Sequence, residues 1–127
     1  MTTKDKKILI VEDEISLLRP LSDSLRQEEF VVIEAQNGEE GLKKALSEKP
    51  DLILLDIAMP KMNGLEMLAE VRKDSWGKDV KVIILTNLDG MEKIAEAAKQ
   101  QTFDYLVKSD WETKDIIKKV KDKLELS

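Results

Sequence analysis

The apolar positions of the chain alternate between two patterns. Ile8-Leu9-Ile10-Val11 and Leu52-Ile53-Leu54-Leu55 are uninterrupted runs, too short for helices of their own. Such runs read as strands buried on both faces, as in a parallel sheet covered on each side by helices. Phe30 to Ala35, Val80 to Leu85 and Phe103 to Val107 read as three further strands, rich in β-branched and aromatic residues.

Between these runs the apolar residues step by three and four. Ile15, Leu18, Leu21 and Leu25 predict a first helix, in which Pro20 removes one backbone hydrogen bond and predicts a bend or a late start. Asn37-Gly38 turns the chain into a second helix carrying Leu42, Ala45 and Leu46, stopped by Pro50. After the loop Lys61-Met62-Asn63-Gly64, Leu65, Leu68 and Ala69 mark a third helix, broken by Trp76-Gly77-Lys78-Asp79. Asn87-Leu88-Asp89-Gly90 is a turn, and Met91 to Gln101 reads as a thinly apolar helix with Ile94, Ala95 and Ala98 facing inward. Ser109-Asp110-Trp111-Glu112 fits a capping box, with Ser109 as N-cap and Glu112 three residues on. The last helix is expected to bury Ile116, Ile117, Val120 and Leu124 and to show Lys114, Lys118, Lys121 and Lys123 to solvent.

Strand and helix thus alternate five times along 127 residues with short connections and no linker. The expectation is one α/β domain over residues 1–127, a doubly wound five-stranded parallel sheet with right-handed crossovers. In such a sheet all strand C-termini lie along one edge, where ligands bind.

That edge is where the polar residues fall. Glu12-Asp13 follows the first strand, Asp56 the third, Thr86 the fourth and Lys108 the fifth. Three carboxylates brought to about 4 Å, at an effective dielectric near 20, repel by about 4 kcal/mol for each pair. A hard divalent cation removes that cost, and magnesium suits one or two carboxylates, a backbone carbonyl, waters and phosphate oxygens. Thr86 and Lys108 then supply a donor and a positive charge for a phosphoryl group, and Asp56 becomes a nucleophile able to form an acyl phosphate.

Composition narrows the alternatives. The chain has no histidine and no cysteine, which excludes a Ser-His-Asp triad, histidine-ligated zinc, thiolate chemistry and disulfides. A net charge of -5 argues against a nucleic-acid surface. No apolar stretch approaches the roughly 20 residues of a membrane span, so a cytoplasmic protein with no direct nucleic-acid or membrane partner is expected.

With Glu12-Asp13 after the first strand, Asp56 after the third, Met59-Pro60 and Gly64 in the loop, Thr86 ending the fourth strand and Tyr105-Leu106-Val107-Lys108 on the fifth, the whole chain resembles the receiver domain of two-component response regulators. The resemblance implies a flavodoxin-like (βα)5 fold with strand order 2-1-3-4-5. It implies a phosphoryl group taken by Asp56 from a histidine kinase or a histidine phosphotransfer protein. Magnesium would be held by Asp13, Asp56 and the backbone carbonyl of Ala58, with Glu12 acting through water. Thr86 and Lys108 would bind the phosphoryl oxygens, and Thr86 and Tyr105 would form the switch. The helix after Gly90, the fifth strand and the last helix would make the effector surface, and a phosphorylation-dependent homodimer through the last helix is a common output in relatives.

The chain departs from the family pattern in places. The first acid is Glu12, where aspartate is commoner, and it adds a methylene of reach. Ser109 stands where proline is frequent, and Asn87 replaces a small residue. Ala58 offers no side chain over the phosphoryl group, which predicts easier water access and a shorter phosphoryl lifetime. Met1-Thr2-Thr3 reads as a natural start and Leu124-Glu125-Leu126-Ser127 as an end without a linker, which favours a stand-alone receiver.

Three other functions fit less of the chain. A haloacid-dehalogenase-type phosphohydrolase needs a second aspartate two residues after the nucleophile, where Ala58 stands. A flavodoxin-like FMN protein needs a Ser/Thr/Gly-rich phosphate cradle, where Glu12-Asp13-Glu14 stands. A receiver-like module that is never phosphorylated would not need the complete residue set.

Overall fold

The computed structural model describes residues 5–57, 62–86, 104–107 and 112–125. Five parallel strands, β1 (Lys7–Val11), β2 (Val31–Ala35), β3 (Leu52–Asp56), β4 (Lys81–Thr86) and β5 (Asp104–Val107), lie in the order β2-β1-β3-β4-β5. The helices among the described residues are α1 (Ile15–Gln27), α2 (Gly38–Glu48), α3 (Gly64–Lys73) and α4 (Thr113–Lys123). The helix expected over Met91 to Gln101 lies outside the described residues. No described helix is long and apolar enough to cross a membrane.

The uninterrupted apolar runs have a direct physical cause. Successive side chains of a strand point to opposite faces, and both faces of this sheet are covered. Ile8, Ile10, Leu52, Leu54, Ile83 and Leu85 pack with Leu18, Leu21 and Leu25 of α1 and with Val120 of α4. Leu9, Val11, Ile53, Leu55, Val82 and Ile84 pack on the other side with Ala45 of α2 and Met67, Leu68 and Val71 of α3. Every residue of β3 is buried, because β1 and β4 flank it and a helical layer covers each face.

Local signals differ from the sequence reading at several points. α1 runs unbroken through Pro20. Pro20 and Ser16 are both exposed, so water can hydrogen-bond the carbonyl that the proline leaves without a donor. Ile15 and Leu46 are exposed rather than in the core, and Leu42 is half-buried. α4 starts at Thr113 with Glu112 as N-cap, and Ser109 of the expected capping box lies outside the described residues. A box from Glu112 to Asp115 forms, and the Asp115 carboxylate accepts the Glu112 N–H at 3.0 Å.

Ile116 and Ile117 pack against the core only in part. Two lysines expected in solvent are engaged: Lys121 pairs with Glu28 beyond the end of α1, and Lys123 lies 3.1 Å from Asp104 at the start of β5.

One clamp was not expected. Arg72 near the end of α3 donates to the carbonyl oxygens of Gly77 at 2.8 Å and Val80 at 2.7 Å, fixing the loop that feeds β4. Burial pushes its guanidinium below the usual arginine range, and nearby Asp79 works against that shift.

Candidate functional site

The register sets the polar residues side by side. Val11 pairs with Leu55, so the acids that follow β1 emerge level with Asp56 at the end of β3. Asp56 in turn pairs with Leu85, one residue before Thr86, and Thr86 pairs with Val107 of β5.

Carboxylate oxygens of Glu12, Asp13 and Asp56 all lie within 4.8 Å of one another. Glu12 and Asp56 are almost fully buried, at 2% and 3% exposure, and Asp13 is the member open to solvent. Thr86 is buried beside them at the sheet edge. At such separations, with an effective dielectric of about 20, each like-charge pair costs about 3 kcal/mol. Hard oxygen donors, a partly dry setting and one open side are the donor chemistry of a magnesium site. The residues present therefore fit a hard divalent cation.

Backbone contacts hold the rim of the site. Glu12 is tied down by its N–H to Ala35 O at 3.0 Å, and its Oε1 accepts the Glu14 N–H at 3.2 Å. This turns the first loop back over the end of β1.

The loop after β3 leaves through Ile57, whose carbonyl accepts the Gly64 N–H at 2.9 Å. Position 64 has no room for a side chain, since a Cβ there would lie 2.2 Å from Asp56 O. Asn63 and Glu66 then start α3 with a reciprocal capping box, Asn63 Oδ1 accepting the Glu66 N–H at 2.9 Å. On the other side of the loop the Gly38 N–H donates to Met62 O at 3.1 Å.

Of the residues singled out in the sequence, Glu12, Asp13, Asp56 and Thr86 converge as expected at one sheet edge. Ala58, Lys108 and the side chain of Tyr105 lie outside the described residues, though the Tyr105 backbone pairs with Ile84 in β5. Gly38 and Met62 were not recognised. Asn37-Gly38 reads as a turn signal, and nothing local shows that its amide meets a loop 24 residues away.

Comparison with known proteins follows the same outline. Residues 8–121 match the family model of the response regulator receiver domain. A probable transcriptional regulator, ycf27 of Guillardia theta, is 39% identical over 108 residues, which cover 85% of this chain and 41% of that regulator. PilH of Pseudomonas aeruginosa is 35% identical over 102 residues, covering 80% of this chain and 84% of PilH. The chain thus spans under half the length of the transcriptional regulator and most of the shorter protein. Among solved structures, the response regulator TrrA of Thermotoga maritima, in complex with Mg(2+)-BeF, superimposes with a TM-score of 0.79 at 37% identity, covering 93% of this chain and 98% of TrrA. The chain belongs to the receiver domain family of two-component response regulators, signalling modules for which phosphorylation and dependence on magnesium are general.

Proposed function

We propose that residues 1–127 act as one receiver domain in which Asp56 is the phosphoacceptor. The convergence of Glu12, Asp13 and Asp56 within 4.8 Å carries this reading. Three acids so close repel one another, and a hard divalent cation offsets that repulsion.

Asp13, Asp56 and the backbone carbonyl of Ala58 hold magnesium, and Glu12 reaches it through water. When bound, magnesium neutralises the acids and draws charge off the phosphoryl oxygens. An Asp56 carboxylate oxygen attacks the phosphorus of a phosphohistidine on a histidine kinase or phosphotransfer protein. The P–N bond breaks, and its electron pair stays on the departing imidazole, which takes up a proton. The Thr86 hydroxyl and the Lys108 ammonium bind the phosphoryl oxygens.

Movement of Thr86 toward that group lets Tyr105 turn inward. The output is a changed surface formed by residues 91–101, β5 and α4. The chain catalyses only its own phosphorylation and dephosphorylation, and it works in the cytoplasm.

The test is binding of beryllofluoride with magnesium, followed by fluorine NMR. Bound-state signals that need magnesium and vanish in Asp56→Asn are expected. Equal signals in Asp56→Asn would overturn Asp56 as the phosphoacceptor.

A further inference from the structure

The sheet edge opposite the acids carries a pocket of its own. Lys6 precedes β1, Asp51 precedes β3 and Val80 precedes β4, so in a parallel sheet all three fall where the strands begin. With Lys49, Trp76 and Lys81 among their neighbours, they line an open cavity of about 340 Å³. The five residues of β3 separate it from Asp56, roughly 16 Å at about 3.3 Å each. Its volume is at the small end of ligand pockets, which run from roughly 300 to 1,000 Å³.

Charge sets this pocket apart. The chain carries a net charge of -5, yet Lys6, Lys49 and Lys81 all border one cavity. Several other lysines are matched: Lys7 with Glu48, Lys44 with Glu40, Lys73 with Glu70 and Lys123 with Asp104. Among the described residues no ion pair engages Lys6, Lys49 or Lys81, not even with Asp51 and Asp79 of the same cavity.

The frame around them is fixed. Asp51 Oδ2 accepts the Lys7 N–H at 2.7 Å. The Arg72 clamp on Gly77 and Val80 and the Trp76 N–H to Asp74 Oδ1, at 2.9 Å, hold the loop that carries Trp76 and Asp79. Trp76 is half-buried and packs in part on the core, while Pro50, Val80 and Leu124 are buried in the pocket wall. Three lysines, an indole, two carboxylates and an apolar wall thus meet in one place.

We infer that this pocket binds a nucleoside monophosphate. Lys6, Lys49 and Lys81 take the phosphate, which lysine binds as a point charge. The base lies against Trp76, since an aromatic side chain stacks on any base. Asp51 and Asp79 accept from the ribose hydroxyls, a common use of carboxylates beside nucleotides. A cavity of this volume suits one nucleotide rather than two. The inference does not depend on Asp56 as phosphoacceptor, whose site lies at the other edge.

The experiment titrates the metal-free full chain with AMP, ribose phosphate and inorganic phosphate in turn, followed by proton–nitrogen NMR. Saturable AMP shifts are expected at the amides of Lys49, Asp51 and Lys81 and at the Trp76 indole. AMP should bind about tenfold tighter than ribose phosphate, the worth of one stacked base. The double variant Lys49→Gln/Lys81→Gln should weaken AMP binding about tenfold. Lys114→Gln, about 15 Å from Leu124 along α4, should bind within about twofold of the parent.

Shifts that do not saturate, or that spread over lysines outside the pocket, overturn the inference. So does equal affinity for AMP, ribose phosphate and inorganic phosphate, which would make the pocket a site for adventitious anions only. Unchanged affinity in the double variant overturns it as well. Where that variant does not fold, the parent's preference for AMP over ribose phosphate decides.

Discussion

Gly64 lies directly against Asp56: a Cβ at position 64 would sit 2.2 Å from the Asp56 carbonyl oxygen. The residue that opens α3 and the acid that ends β3 are thus packed backbone to backbone. Gly64→Ala must displace one of them. Overpacking of this kind costs about 1–3 kcal/mol. Urea denaturation should show that loss, and an unchanged midpoint would mean the loop relaxes freely.

Asp56→Asn removes one of three close carboxylate charges. With the metal absent, relief of repulsion should stabilise the fold by about 1–3 kcal/mol. Added magnesium should shrink the difference, because binding to the native parent stabilises it by mass action. Urea midpoints of both proteins, with chelator and with magnesium, check the sign. A destabilised Asp56→Asn in chelator would contradict net repulsion among the three acids.

Arg72 bridges the carbonyls of Gly77 and Val80 with one guanidinium nitrogen. Arg72→Met keeps much of the stem and leaves both acceptors without that donor. Loss of hydrogen bonds from a charged donor costs about 1.5–3 kcal/mol. Arg72→Lys should recover only part, since an ammonium cannot reproduce the planar fork. Thermal unfolding of the two variants measures the difference.

Leu54 is fully buried at the centre of β3. Leu54→Ala should cost about 2–5 kcal/mol through lost burial and the cavity left behind. Denaturant titration checks it, and a cost under about 1 kcal/mol would mean that α1 and α4 collapse into the gap.

The sheet and much of the site were legible in the sequence because their causes are local or repeated. Ile8–Val11 and Leu52–Leu55 must be apolar at every position, since alternate side chains feed two cores. A parallel sheet then forces Glu12, Asp13, Asp56 and Thr86 to one edge without further information. What stayed hidden depends on choices between neighbours. Glu112 to Asp115 forms the capping box of α4, a helix start the sequence reading passed over. Helical spacing placed Ile15 and Leu46 on inward faces, yet both lie beyond the cover of neighbouring elements and are exposed. Ion pairs such as Lys123 with Asp104 join residues far apart in the chain, as does the bond from Gly38 to Met62. No local pattern announces them.

The central claim is that Asp56 takes a phosphoryl group with the help of magnesium. Intact mass after incubation with acetyl phosphate and magnesium, under rapid acid quenching, tests it most directly. One added phosphoryl group is expected in the parent, and none in Asp56→Asn or in the presence of chelator. An adduct that survives in Asp56→Asn, or one that forms equally well without magnesium, would contradict the claim.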